Sequence, residues 1–218
     1  MIKAVIFDLD GTLLDTIEGI ADTGNQVLTR RGYSQLSIDQ YKQFVGDGVK
    51  RLIERMMQYH HIPSPLFDEL MDDYNSIYKE LANQKTKPYQ GILDLIKDLR
   101  KRGIKTGVLS NKPHHQVKEI MPKYFSDDDF EEVLGHIDGY PHKPDPLSLK
   151  DMIKGMNLIE SEVLYVGDTS VDMKTALQAG VKSVGVLWGF RDKKELVMSQ
   201  ASYIVSHPSQ ILEIISLI

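Results

Sequence analysis

Cysteine is missing from all 218 residues. That excludes disulfides, a thiolate nucleophile and Cys-ligated zinc, and it suits a reducing compartment, so the cytoplasm is the expected location. Also missing is any run near the about 20 apolar residues that cross a bilayer. Residues 1–7 are too short for the apolar stretch of a secretory signal, and Asp8 interrupts them. No membrane partner is expected. Positive charge is in deficit: 26 Lys and Arg face 31 Asp and Glu, a formal net charge of -5, so the basic footprint of nucleic-acid binders is lacking and no nucleic-acid partner is expected. No internal repeat or low-complexity tract is present. What remains is 41% hydrophobic, enough for one sizeable core or a core with a small companion domain.

Apolar runs of strand length alternate with helical patterns. "KAVIF", "KTGVLS", "VLYVG" and "KSVGVL" are continuous apolar stretches, as expected of parallel strands buried on both faces. Between them, "GILDLIKDLRKRG" carries apolar residues at helical spacing, basic residues in its last turn and Gly103 as a stop. "TSVDMKTALQAG" opens on a capping Thr169 or Ser170 and closes on Gly180. The alternation predicts an α/β fold, a doubly wound parallel sheet.

Residues 16–87 break the alternation. "IEGIADTGNQVLTRRG", "SIDQYKQFVG", "VKRLIERMMQYH" and "SPLFDELMDDYNSIYKEL" read as four or five helices with no strand. "NQKTKPYQG" reads as the returning linker because of its polarity, Pro88 and Gly91. The expected organisation is a core of residues 1–15 and 88–218 with a small helical domain, residues 16–87, inserted after the first strand.

In "AVIFDLDGTLLDT" three aspartates, Asp8, Asp10 and Asp15, follow a strand directly. Crowded like charge beside a buried strand costs free energy unless something compensates it. Open α/β sheets bind ligands outside the carboxyl ends of their strands. Four polar groups fall at such places: Asp8 with Asp10, Ser110 with Asn111, Lys143 in "HKPDP", and Asp168 with Asp172 in "VGDTSVD". Acids, a hydroxyl, an amide and a lysine at one edge supply carboxylates for a hard divalent cation and donors for an anion, so Mg²⁺ with a phosphate is the expected compensation.

"DLDGTLLDT", "SNKP", "HKPDP" and "GDTSVDM", in this order, resemble the four signature motifs of the haloacid dehalogenase superfamily of phosphohydrolases. The resemblance spans nearly the whole chain. The helical insertion resembles the family's cap, and "FVGDGVKRL", "SNKPHHQV" and "WGFRD" are most similar to its phosphoglycolate phosphatase branch. The resemblance implies a Mg²⁺-dependent phosphatase acting on a small phosphorylated metabolite, as a monomer or homodimer.

It also implies roles. Asp8 is the nucleophile that forms an aspartyl-phosphate; Asp10 is the general acid and then the base, with Gly11 allowing the sharp turn beside it. Mg²⁺ is held by the Asp8 carboxylate, the Asp10 carbonyl and Asp168, with Asp172 as an outer or water-mediated ligand. Ser110, the Asn111 region and Thr12 donate to phosphoryl oxygens, and Lys143 supplies positive charge to the nucleophile and the transferring group. Lys50 and Arg51 in the cap are candidates for a second anionic group of the substrate.

Plainer readings compete. Asp8 and Asp10 could be turn carboxylates; Ser110 and Asn111 could cap the next helix; Lys143 could be a solvated loop lysine; Asp168 and Asp172 could be a helix cap and its dipole partner. The adjacent pairs His60, His61 and His114, His115 do not present two ligands on one helical face and are expected in solvent. Met56, Met57 and Met71 are expected to fill the insertion's core, and Asp127, Asp128 and Asp129 to form a solvated loop. Within the superfamily, Asp10 argues against a dehalogenase. Ile20 stands where a sugar-phosphate mutase has its cap histidine, and an inorganic pyrophosphatase would share every core residue. Outside the superfamily, a phospho-acceptor signalling module needs neither Asp10 nor the insertion.

Overall fold

The computed structural model describes residues 1–81 and 84–218. Asn83, the first residue of the expected return linker, lies outside the described residues. The chain divides into two compact units, Met1–Leu14 with Pro88–Ile218, and Asp15–Lys87.

Strand β1 (Ala4–Phe7) opens the first unit, and two-residue strands β2 (Leu14–Asp15) and β3 (Lys87–Pro88) pair with each other where the chain leaves and returns. The main sheet adds β4 (Lys105–Pro113), β5 (Glu132–His136), β6 (Val163–Gly167), β7 (Lys182–Val186) and β8 (Tyr203–Val205). Its order is β5-β4-β1-β6-β7-β8, every neighbouring pair parallel. Succession runs outward one way from β1 through β4 to β5, then the other way from β6 to β8. The doubly wound fold is therefore present, with its switch point between β1 and β6.

Alternation along β1 explains the layers. Val5 and Phe7 pack with Val108, Leu164 and Val166 under helices α5 (Ile92–Lys101), α6 (His114–Ile120) and α10 (Ser209–Leu217). Ala4 and Ile6 face the other way, with Leu109 and Tyr165, against α7 (Leu147–Gly155) and α8 (Ser170–Ala179). A short α9 (Lys193–Met198) follows β7.

The second unit is helical: α1 (Ile17–Arg30), α2 (Ile38–Phe44), α3 (Val49–Tyr59) and α4 (Phe67–Leu81). Its core gathers Leu28, Tyr41, Ile53, Met56 and Leu70, all fully buried. Gly24 makes room for the Tyr41 ring, since a Cβ there would lie 2.3 Å from the phenol oxygen. Arg31 ties the end of α1 to α4 through Glu69 at 2.9 Å and Asp73 at 2.7 Å.

Some local expectations change. Met56 and Met57 are buried but Met71 only partly so. His60 packs against Tyr33 and Tyr59 instead of standing in water, and His114 accepts a hydrogen bond from the Gly135 amide at 3.1 Å. Asp129 is not simply solvated: it pairs with Arg100 at 2.9 Å and accepts from the Ser126 amide.

Candidate active site

Asp8 stands one residue beyond β1 and Asp168 one residue beyond β6, on either side of the switch point. Asp172 follows on the first turn of α8. These three buried carboxylates each bring an oxygen within 4.8 Å of the others. Lys143 is also buried, and its Nζ lies 2.9 Å from Asp8 Oδ1 and 2.7 Å from Asp172 Oδ1. It donates as well to the Tyr165 hydroxyl at 3.0 Å. Lys143 is therefore no solvated loop lysine; it is the charge partner of two acids.

Among the described residues no lysine pairs with the third acid in this way. Asp168 takes a 2.7 Å bond from the Phe190 amide and a long 3.4 Å one from the Thr12 hydroxyl. Glycine makes its pocket: a Cβ at Gly189 would lie 2.3 Å from Asp168 Cβ, and one at Gly11, where φ is +87°, would strike the carboxylate. Burial, with Asp172 and Asp8 adding to it, pushes the Asp168 carboxyl well above the ordinary range. Burial likewise raises Asp8 to about 7, against the opposing pull of Lys143. Burial disfavours the Lys143 ammonium, yet Asp172 and Asp8 outweigh it and hold its pKa well above the usual value. Three buried acids against one contacting ammonium leave a site short of positive charge, and the shortage together with an all-oxygen donor set fits a divalent hard cation.

Asp172 does two jobs. Its Oδ2 accepts from the Thr169 amide at 3.1 Å and hydroxyl at 2.7 Å, which is the helix-start role of the plainer reading, while its Oδ1 accepts from Lys143. With both oxygens engaged, Asp172 supports the cluster from behind. Tyr165 completes that support by donating to the Leu109 carbonyl at 3.2 Å.

The "SNKP" residues lie at the end of β4. Ser110 and Asn111 cap no helix, because β4 runs on through Pro113 with its register against β5 broken after Leu109, and α6 starts at His114. The Asn111 side chain accepts from the Lys143 amide at 2.8 Å and donates to the Lys143 carbonyl at 3.1 Å. It is a strut for the lysine loop. The Thr12 hydroxyl is buried and lies 3.4 Å from Asp168 Oδ1. Ser110 is buried beside them, accepting from the Lys112 amide at 3.3 Å. The Asp10 side chain stands apart from the three-acid cluster, held by Lys112, whose Nζ is 3.1 Å from each carboxylate oxygen. Sequence reasoning gave Lys112 and Tyr165 no role. Lys50 and Arg51 lie exposed on α3 of the helical unit, where Arg51 pairs with Glu54 at 2.6 Å.

The family described as haloacid dehalogenase-like hydrolase matches residues 5–186. A phosphoglycolate phosphatase of Vibrio parahaemolyticus is 31% identical over 99% of this chain and 96% of its own. One from Rhodobacter capsulatus is 32% identical over 88% and 87%. Among solved structures, a candidate phosphoglycolate phosphatase of Lactobacillus delbrueckii subsp. bulgaricus superposes with a TM-score of 0.93 at 28% identity, covering 98% of both chains. With the matched region spanning the acids, the lysine loop and the sheet that carries them, the chain belongs to the haloacid dehalogenase-like hydrolases.

Proposed function

We propose that the protein is a Mg²⁺-dependent phosphatase that hydrolyses phosphoglycolate or a closely similar small phosphomonoester through an aspartyl-phosphate on Asp8. The observation that carries this reading is Asp8 itself, a buried acid at the switch point whose Oδ1 lies 2.9 Å from Lys143 Nζ. The names of the full-length relatives support the choice of substrate.

Asp8, Asp168 and the Asp10 carbonyl would hold the cation, with Asp172 behind them. When bound, it supplies positive charge to the phosphoryl oxygens. Asp8 Oδ2 forms the new bond to phosphorus as the ester bond breaks, and Asp10 hands its proton to the departing alkoxide. Asp10 then takes a proton from the water that attacks the aspartyl-phosphate, releasing inorganic phosphate and restoring Asp8. Lys143 keeps the nucleophile oriented throughout, and the Ser110 hydroxyl donates to the phosphoryl group. We assign the helical unit Asp15–Lys87 the part of a substrate-selecting cap, with Lys50 and Arg51 as candidate contacts. No helix among the described residues is long and apolar enough to cross a membrane, and we place the enzyme in the cytoplasm as a monomer or homodimer.

A phosphate-release screen over phosphorylated metabolites tests the reading. Phosphoglycolate should rank among the best substrates, with many turnovers per protein molecule, and Asp8→Asn should abolish release. One labelling event without turnover would favour a phospho-acceptor module instead.

A further inference from the structure

The pairing of Lys112 with Asp10 is not explained by folding. The lysine side chain is 5% exposed and the Asp10 side chain 19%, so the pair is largely removed from water. A buried ion pair contributes little net stability, because desolvation offsets the attraction. Yet the chain places an ammonium there by extending β4 irregularly past Leu109, so that Asn111 braces the Lys143 loop and Lys112 meets Asp10.

We propose that Lys112 selects the substrate by binding a second anionic group carried on the leaving alcohol. This rests on the reading of Asp10 as the acid that serves the leaving oxygen. In that role Asp10 must come within about 2.6–3.2 Å of the leaving oxygen. Lys112 stands one further hydrogen bond away, so its ammonium lies within roughly 6 Å of that oxygen. In-line transfer directs the rest of the alcohol away from Asp8, toward the Asp10 side. Phosphoglycolate carries its carboxylate one methylene beyond the ester oxygen, roughly 3–4 Å from it by ordinary bond lengths. A carboxylate so placed falls within reach of Lys112 Nζ and makes a charge-assisted bond at the mouth of the buried site.

The other buried or nearly buried cations of this unit have other duties. Lys143 is committed to Asp8 and Asp172. Arg191 is engaged by Glu195 at 3.2 Å, and its charge acts on Asp168. Lys112 is the cation stationed beside Asp10.

Three esters test the proposal: phosphoglycolate, its uncharged analogue 2-hydroxyethyl phosphate, and phenyl phosphate. The unaltered enzyme should prefer phosphoglycolate to the hydroxyethyl ester by about a hundredfold in kcat/KM, the scale of one hydrogen bond to a charged group. Lys112→Met should lose most of that preference, chiefly through a raised KM for phosphoglycolate, while phenyl phosphate falls by no more than about tenfold. Lys112→Arg should recover much of the preference. Equal losses on all three esters, confined to kcat, would mean that Lys112 acts only through Asp10 and would overturn the proposal. So would an unaltered enzyme that treats phosphoglycolate and the hydroxyethyl ester alike, a result that needs no variant to fold. Failure to turn over any of the three esters would overturn the phosphatase reading itself.

Discussion

Asp10 shows how closely roles are divided at the scale of single residues. It stands two residues beyond Asp8, yet its carboxylate is held by a different lysine and is the more exposed of the two. Asp10→Asn keeps the shape and the backbone carbonyl but cannot carry a proton. Attack on p-nitrophenyl phosphate needs little help from an acid, because its leaving group is stable as an anion, whereas hydrolysis of the aspartyl-phosphate needs a base. The variant should give a burst of nitrophenol, then turnover slowed about a hundredfold or more, with a mass gain of one phosphoryl group. Asp8→Asn should show neither burst nor label. An unslowed Asp10→Asn, or a labelled Asp8→Asn, would refute the division of labour. The acids were legible in the sequence because each follows an apolar strand in a spaced motif. Tyr165 was not, since inside "VLYVG" it reads as one more filler of a buried strand. Its hydroxyl matters because β6 lies beside β1 and the phenol reaches Lys143 and the Leu109 carbonyl. Thr12 and Asn111 were legible as polar but not as braces, because their partners lie 156 and 32 residues away.

Among elements, continuous apolar strands were legible and peripheral ones were not. β5 borders the sheet with Glu132 and Gly135 in its sequence and only partial burial, so no apolar run announces it. β8 is three residues long. β5 is nevertheless fastened to the segment that carries Ser110 and Lys112, because His114 Nδ1 at the start of α6 accepts the Gly135 amide. Only the unprotonated nitrogen can accept. Burial first, then Lys118 and His115, lower the His114 pKa from its ordinary 6.5. Below that value the unfolded chain takes up this proton more readily than the folded one, so stability falls as pH falls. In His114→Asn the amide oxygen can stand in for Nδ1 without titrating. The variant should lose less unfolding free energy than the parent between about pH 7.5 and about pH 5.5 in denaturant titrations. Equal losses would show that another group governs the acid limb.

For the whole molecule, the proposed cation site at the switch point ties cation binding to folding. Asp8, Asp168 and Asp172 follow strands β1 and β6 that the native fold brings together, so the unfolded chain has no such site. A ligand at a hundred times its Kd contributes about 2.7 kcal/mol, and for a protein of this size that should raise the thermal midpoint by roughly 5–10 °C. Mg²⁺ should produce such a shift, Asp168→Asn should remove it, and excess chelator should stop phosphate release. A midpoint indifferent to Mg²⁺ would count against the cluster as its binding site. The same topology sets a schedule during synthesis. β1 is made first, but its partners are residues 105–108 on one side and 163–166 on the other. At roughly 5–20 residues per second the ribosome needs on the order of ten to thirty seconds to supply the second of them. Until residues 105–108 are made, the helical insertion can assemble from contacts near in sequence whereas "AVIF" has no partner strand, and its other flank stays open until residues 163–166 follow. The nascent chain thus holds Asp8 and Asp10 on an apolar segment whose two flanks are covered at different times, first by β4 and only later by β6.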